Sequence, residues 1–268
     1  MTAILAIDAA WTLTEPSGCA LIKRSAGTWS CVALAPSYSQ FLRQCDGVPV
    51  DWSEPPRGVV PDADALLAGC QNLLGDMRVD LVAIDMPVSQ LPISGRREAD
   101  QALSKTFGAQ GCGTHSPNLI RPGRLGRQVT EAFDRNGYPV ATALTQSATV
   151  PRLLEVYPHP ALLRLLSVDW RVAYKVSKSS RYWPNTSKDE RIGKLTQEYA
   201  RILAALSQYI QGIDAKIFIP QANSLAELKR YEDALDALVC AWVGICYISG
   251  AARPYGDSTS AIWVPEGC

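Results

Sequence analysis

Short runs of apolar residues, each bounded by turn residues, recur through the chain. Runs of four to eight such residues are typical of buried strands. Five of them predict strands at residues 3–8, 19–23, 28–34, 79–84 and 152–157. Short turns join the first three strands, which predicts an antiparallel meander.

Between the later strands, apolar residues recur every three or four positions, as on the buried face of an amphipathic helix. This spacing predicts helices at residues 36–44, 62–77, 161–166, 188–209 and 225–248. Asp62 suits the N-cap of its helix, and Ala234, Ala237 and Ala241 would let the last helix approach a sheet closely. Residues 87–150 are the least regular part and are predicted to be an insertion, while 264–268 reads as a tail.

Three strands, a helix, a strand, a helix and a strand, closed by a C-terminal helix, predict a mixed α/β sheet flanked by helices. A helix between strands 28–34 and 79–84 suits a crossover into a parallel strand. This order matches the ribonuclease H-like architecture, with three antiparallel strands followed by parallel ones. At 268 residues and 47% hydrophobic content, the chain can bury the core of a single domain over 1–268.

Composition narrows the cellular setting and the partners. The 26 basic and 26 acidic residues give a formal net charge of +0, whereas a protein that binds bulk duplex DNA usually carries a basic excess. The eight cysteines contain no CxxC pair, so we expect buried free thiols and a reducing compartment. A basic leader and an apolar run of spanning length are both missing, which predicts a soluble cytoplasmic protein without a membrane partner.

Five acids are the main candidates for chemistry. Asp8 and Asp85 end two predicted strands, Glu155 lies inside a third, and Asp233 and Asp236 are three apart on the last helix, so both point to one side of it. Carboxylates are the ligands that Mg²⁺ and Mn²⁺ prefer. In two-metal hydrolysis, ions about 4 Å apart clamp the attacking and leaving oxygens of a phosphodiester. We therefore predict one metal site built from all five acids.

Each acid also has a structural explanation. An aspartate at a strand end is often a turn or cap residue, and this applies to Asp8 and Asp85 taken singly. Asp233 and Asp236 could belong to a solvated helix face, although Asp236 has apolar neighbours. Glu155 is harder to explain in this way, because a carboxylate in an apolar strand is costly unless it is paired or metal-bound.

Basic residues near these acids could contact a phosphate. Arg96 and Arg97 suit bidentate phosphate contacts, and a salt bridge with Glu98 or Asp100 is an equal alternative. Lys175 and Arg181 lie in a loop with Tyr174, Tyr182 and Trp183, which could hold a single strand by charge and stacking or be a plain surface loop. His159 could support the site or transfer a proton, although a structural role is more common.

A resemblance rests on five segments: AIDAAW (6–11), AIDMP (83–87), GRREAD (95–100), EVYPHPAL (155–162) and DALDALVCAW (233–242). Through these segments and their order, the chain resembles the family labelled domain of unknown function 429 (DUF429), which is described as predicted ribonuclease H-like nucleases. The resemblance implies that fold, with Asp8, Asp85, Asp233 and Asp236 as metal-binding acids and Glu155 beside them. The last segment is also similar to the C-terminal helix of the Holliday-junction resolvase branch.

The sequence therefore predicts a Mg²⁺- or Mn²⁺-dependent phosphodiesterase that acts on nucleic acid or a nucleotide. A non-catalytic nucleic-acid or nucleotide-binding module of the same fold is the first alternative, which the neutral charge favours. An ATP-dependent phosphotransferase is a second, but the glycine-rich phosphate hairpins of that class are not evident. Oligomeric state, polarity and the choice between RNA and DNA are not indicated.

Overall fold

The computed structural model describes residues 1–75, 77–217 and 224–267, which contain both strands and α-helices. The strands are β1 (Thr2–Asp8), β2 (Gly18–Ser25), β3 (Thr28–Ala35), β4 (Leu81–Ile84), β5 (Arg152–Val156), β6 (Ile210–Gln211), β7 (Ala252–Gly256) and β8 (Ala261–Pro265). The helices are α1 (Tyr38–Cys45), α2 (Ala63–Leu74), α3 (Glu98–Phe107), α4 (Arg124–Arg135), α5 (Pro158–Leu165), α6 (Ser179–Tyr182), α7 (Lys188–Leu206) and α8 (Leu225–Ile248).

All eight strands form one mixed sheet in the order β6-β3-β2-β1-β4-β5-β8-β7. The predicted meander is confirmed, because β1 pairs antiparallel with β2 and β2 with β3. Strand β4 lies parallel to β1 on its other side, and β5 lies parallel to β4. The predicted mixed α/β sheet is therefore confirmed, with β1 at its centre.

Helices cover both faces of the sheet, and side-chain alternation along each strand assigns residues to one face or the other. On β1, Ile4 and Ala6 join the core beneath α5, α7 and α8. Leu5 and Ile7 join the opposite core, beneath α1, α2 and α4. A central strand buried on both faces is uniformly apolar, which explains the unbroken run that ends at Asp8.

Helix α8 packs against the sheet with almost no space between them. A Cβ at Gly18 would lie 2.0 Å from the backbone oxygen of Asp233, so only glycine fits at this point of β2. The helix backbone at Asp233 thus lies directly on the sheet. The predicted small side chains Ala234, Ala237 and Ala241 are all fully buried at this interface, as the sequence pattern indicated.

Several element boundaries agree with the predictions. Helix α8 has the predicted bounds, and the side chain of Asp62 caps α2 by accepting a hydrogen bond from the Ala65 amide at 3.0 Å. Helix α5 begins at Pro158, earlier than predicted, because proline is tolerated in the first turn of a helix. The region predicted as an insertion contains α3 and α4.

The prediction of a tail at 264–268 is wrong for its first two residues, while Glu266 and Gly267 lie exposed beyond the last strand and residue 268 lies outside the described residues. Val264 and Pro265 belong to β8, whose five residues are all buried. This strand pairs parallel with β5 and antiparallel with β7. The sheet therefore extends beyond the five predicted strands at both edges, since β6 also adds to β3.

The described cysteines include both free thiols and a disulfide-bonded residue. Six are free and buried, as predicted: Cys19, Cys31, Cys45, Cys70, Cys112 and Cys240. For Cys246 the prediction of a free thiol is wrong, because it is disulfide-bonded. Among the described helices, none is both long and apolar enough to cross a membrane.

Candidate active site

Two of the predicted acids, Asp8 and Asp85, lie at the ends of adjacent parallel strands, on the face of the sheet that α8 covers. Asp8 has the same parity as Ile4 and Ala6, whose side chains lie under α8, and Asp85 has the parity of Leu81 and Ala83 on β4. The Asp85 amide donates to the Ile7 carbonyl at 2.9 Å. These two carboxylates therefore emerge side by side at one edge of the sheet.

Helix α8 brings two more carboxylates to the same place. Asp233 and Asp236 are both buried. The contact of Gly18 with the Asp233 backbone fixes the position, because Gly18 is paired with Asp8 across β1 and β2. The structure thus assembles four of the five predicted acids, from positions up to 228 residues apart in the sequence.

Burial and mutual repulsion raise the pKa values of these carboxyl groups. Burial, followed by the charge of Asp236, raises the pKa of Asp8 to about 7. Burial and the charge of Asp8 hold the pKa of Asp85 well above its ordinary value. Burial and the charge of Asp8 also raise the pKa of Asp233, although the charge of Lys229 opposes this shift. A concentration of buried negative charge of this kind is characteristic of functional sites.

A lysine and a tyrosine bind Asp236. The Tyr174 hydroxyl donates to Asp236 Oδ1 at 2.7 Å, and the Lys175 ammonium group donates to its Oδ2. The same ammonium lies 3.5 Å from Glu232 Oε1 and 5.1 Å from the centre of the Tyr174 ring. Lys175, which the sequence analysis assigned to substrate, is thus directed into the carboxylate cluster.

A second lysine binds the adjacent turn of α8. Lys229 Nζ donates to Glu232 Oε1 at 2.9 Å and also to Asp233 Oδ1. The other oxygen, Asp233 Oδ2, is buried and accepts no hydrogen bond from the described residues. Burial disfavours the charge on Glu232, but Lys175 and Lys229 together hold its pKa below the ordinary value.

Glu155 is near enough for its charge to raise the pKa of Asp85, but its side chain is bound by partners outside the cluster of the other four acids. Its neighbours Leu154 and Val156 lie under α8, whereas Glu155 has the parity of Leu153 on the opposite face. Arg97 donates to both of its oxygens, at 2.6 Å each, and the Val88 amide donates at 3.0 Å. The pairing that an acid in an apolar strand requires is thus supplied by an arginine.

Arg97 also forms an ion pair with Asp100 at 2.9 Å, which was one of the two explanations offered for it. Arg96 is bound within its own segment, to Ser116 Oγ, Ser104 Oγ and the Asp100 carbonyl. Both arginines therefore hold the start of α3 in place. These hydrogen bonds do not test whether either arginine contacts a phosphate, so that contact stays a prediction.

The other two predicted residues lie in different environments. Arg181 is exposed on α6. His159 is buried, and its Nε2 lies 2.6 Å from the Arg171 guanidinium. Its ring packs edge-on against Tyr174 at 5.6 Å, and Tyr174 in turn binds Asp236. Burial, with the charge of Arg171, holds the pKa of His159 well below its ordinary value, so the imidazole is neutral at pH 7.

Glu232, Lys229 and the role of Tyr174 were not predicted from the sequence. Glu232 precedes Asp233 in the helix and reads as another surface acid, yet it is buried. Lys229 is three and four positions before Glu232 and Asp233, a spacing that brings side chains together on a helix. That spacing was the available signal, and it indicates a pair without indicating burial.

The donor chemistry of the cluster suits a hard divalent cation. Neither Asp8 nor Asp85 forms a salt bridge with a basic side chain of the described residues, and Asp233 Oδ2 is buried without a donor. Carboxylate oxygens in this condition are the ligands that Mg²⁺ and Mn²⁺ take. In the described ranges, however, no group of three or more acid, histidine or cysteine side chains is arranged to hold a metal ion. Lysine ammonium groups bind two of the acids instead.

A cavity of about 760 Å³ lies beside α4 and the segment 89–93. Its lining includes the apolar side chains of Leu91 and Leu119 together with Arg124 and Glu131. None of the five predicted acids lines it. The candidate site is therefore the carboxylate cluster rather than this cavity.

Comparison with known proteins gives one match. A family model described as "Protein of unknown function (DUF429)" matches residues 24–260. The search of curated proteins gives no match, and the search of solved structures gives none either.

Proposed function

The chain belongs to the DUF429 family, and from its carboxylate cluster we propose that it is a divalent-metal-dependent hydrolase of phosphodiester bonds in nucleic acid or nucleotides. The observation that carries the proposal is the convergence of Asp8, Asp85, Asp233 and Asp236 on one edge of the sheet. Purely structural acids have no reason to gather where burial and repulsion penalise their charges.

The strand arrangement supports the proposal. The order β3-β2-β1-β4-β5, with an antiparallel meander followed by two parallel strands, is what a ribonuclease H-like sheet requires. In such a sheet, acids at the ends of β1 and β4 face an acid from the C-terminal helix. The fold alone does not determine activity, so the chemistry of the cluster carries the functional argument.

Asp8, Asp85 and Asp233 would hold the cation, with Asp236 beside them. When bound, a divalent cation lowers the pKa of a water molecule and stabilises charge on a phosphoryl oxygen. The protein supplies position: β1 and β4 fix two ligands, and α8, seated on Gly18, fixes the third. Glu155 is not included in this set, because Arg97 and the Val88 amide occupy its oxygens.

Tyr174 and Lys175 would orient Asp236. With one oxygen bound by a hydroxyl and the other by an ammonium, this side chain has little freedom to rotate. His159 packs against Tyr174 as a neutral ring and thereby supports it. The proposal places the activity in the cytoplasm, where Mg²⁺ and nucleotides are both abundant.

The test is hydrolysis by the purified full chain with Mn²⁺ or Mg²⁺. Substrates are labelled single-stranded DNA, RNA, a branched DNA junction and a small chromogenic phosphodiester. We expect activity on at least one, and an Asp8→Asn variant should lose it by on the order of 100-fold or more, because the cation loses a charged ligand.

The matched control is Asp214→Asn, which removes an exposed carboxylate and should leave the rate unchanged. Equal rates for the wild type and Asp8→Asn would overturn the proposal. Binding of Mn²⁺ together with inactivity on every substrate would instead favour the non-catalytic binding module.

A further inference from the structure

Two lysines occupy the carboxylate cluster, and they differ in how firmly they are held. Lys175 contacts Asp236 and Glu232, lies over the ring of Tyr174, and has a side chain that is only 18% exposed. Lys229 contacts Glu232 and Asp233 and is 44% exposed. Both ammonium groups balance the negative charge of the buried carboxylates that they contact.

Lys175 is held against α8 by its own contacts and by those of the residues beside it. Lys175 immediately precedes Val176, whose amide donates to Glu232 Oε2 at 2.6 Å. The segment before and after its side chain is thus bonded to α8 at Tyr174, Lys175 and Val176 together. Displacing this lysine would break its contacts with Asp236 and Glu232 at a mostly buried position, whereas the more exposed Lys229 can move toward solvent.

We infer that Lys175 is a permanent cation of the site, which replaces one of the two metal ions expected for this chemistry, so that the site takes a single divalent ion. That ion would use Asp8, Asp85 and Oδ2 of Asp233, the buried oxygen that has no donor among the described residues. Lys229 is the exchangeable counter-ion that the bound metal releases. The inference rests on the proposed function and refines it.

Charge and space both explain why Lys175 would take the place of a second metal ion. An ammonium group at hydrogen-bonding distance from a carboxylate supplies the local positive charge that a shared metal would supply. Each oxygen of Asp236 already accepts a hydrogen bond, and the Lys175 ammonium on Oδ2 repels a cation there, so this carboxylate is poorly placed to bridge two ions. Two ions would also need Lys175 to leave a buried ion pair, which is unfavourable because the carboxylate partner remains behind.

The test is calorimetric titration of Mn²⁺ into the full chain. The inference requires a stoichiometry of one. Two Mn²⁺ ions per chain would overturn the inference and leave the proposed function intact. Failure to bind Mn²⁺, with and without an oligonucleotide, would overturn the proposed function itself.

Variants test the roles of the two lysines. Lys175→Met removes the charge at nearly constant length, and we expect a second Mn²⁺ to bind, whereas Lys175→Arg should keep the stoichiometry at one. A folded Lys175→Met protein that still binds one ion would overturn the inference. If this variant does not fold, the wild-type stoichiometry remains decisive.

Lys229→Met should also keep the stoichiometry at one. Because the cation no longer competes with Lys229, its Kd should fall by roughly three- to tenfold. An unchanged Kd, or a second bound ion, would contradict the exchangeable role of Lys229.

Discussion

At the scale of single residues, Asp8 carries the clearest physical signature. Its pKa is raised to about 7 from an ordinary value of 3.8 by burial and by Asp236. The folded protein therefore binds a proton on this group more tightly than the unfolded chain does. The stabilisation from that proton is complete below about pH 4 and is lost as the pH rises toward 7.

This shift gives a prediction for the metal-free protein. Asparagine cannot ionise, so Asp8→Asn should gain stability relative to the wild type as the pH rises from 5 to 8, by roughly 1 to 3 kcal/mol. Urea unfolding followed by tryptophan fluorescence in EDTA measures the difference. The exposed control Asp214→Asn should show no such trend, and a difference between wild type and Asp8→Asn that is constant with pH would refute the assignment.

Residue identity showed which acids were candidates but not which partners they have. Asp8, Asp85, Asp233 and Asp236 could be selected because strand ends and helical spacing are local patterns. The pairing of Lys175 with the acids of α8 could not be predicted, since its contact with Glu232 joins a loop and a helix 57 positions apart in the sequence. Only packing reveals that a lysine in a basic, aromatic loop turns inward.

At the scale of elements, side-chain parity separates the acids that the sequence analysis grouped together. Asp8 and Asp85 lie on the α8 face, while Glu155 lies on the other and pairs with Arg97 at the start of α3. Arg97 has a side chain that is 8% exposed and also binds Asp100. This buried network joins the predicted insertion to the central sheet.

The network predicts an order of stabilities. Arg97→Met leaves two carboxylates without a cation and should cost about 3 to 5 kcal/mol of unfolding free energy. Glu155→Gln leaves the ion pair of Arg97 with Asp100 intact and should cost less. Urea unfolding of both variants gives the comparison.

Mn²⁺ titration of Glu155→Gln then separates two roles. A structural role leaves the Kd of Mn²⁺ within about twofold of wild type, because the expected ligands are unaffected. A much weaker Kd in a stably folded variant would return Glu155 to the ligand set.

Elements with a strong period were predicted well, and short ones were not. Helix α8 was placed correctly because its 24 residues repeat one pattern many times. Strand β7 contains Pro254, which argues against a strand, yet proline is tolerated because β7 is at the sheet edge. Strand β8 is five residues long near the chain end, and its identity depends on pairing with β5, which is a long-range contact.

At the scale of the whole molecule, the sheet and its helices concentrate negative charge inside a protein of zero formal net charge. The basic loop that could have gripped a polynucleotide contributes Lys175 to the interior, where acids neutralise it. Arg181 remains exposed on that loop. The 26 basic residues are matched by 26 acidic ones, so the molecule has no net positive charge to attract a long phosphate backbone.

This distribution of charge predicts a weak dependence of activity on salt. A protein that makes six to ten phosphate contacts loses about 10³- to 10⁵-fold in affinity between 50 and 200 mM salt. For this protein we expect kcat/KM on a 20-nucleotide single strand to fall by less than about tenfold over that range. A dinucleotide assayed in parallel should show nearly the same change, because both substrates engage only the phosphates beside the metal.

Arg181→Ala provides the matched variant. If Arg181 is the main external contact, the variant should lose roughly two- to fivefold in kcat/KM on the 20-nucleotide strand and nothing on the dinucleotide, since one phosphate contact contributes about one unit to the salt slope. A steep salt dependence for the longer strand alone would show that a basic surface elsewhere on the molecule binds it. The preference would then be for polynucleotides, whereas the balanced charge favours short substrates.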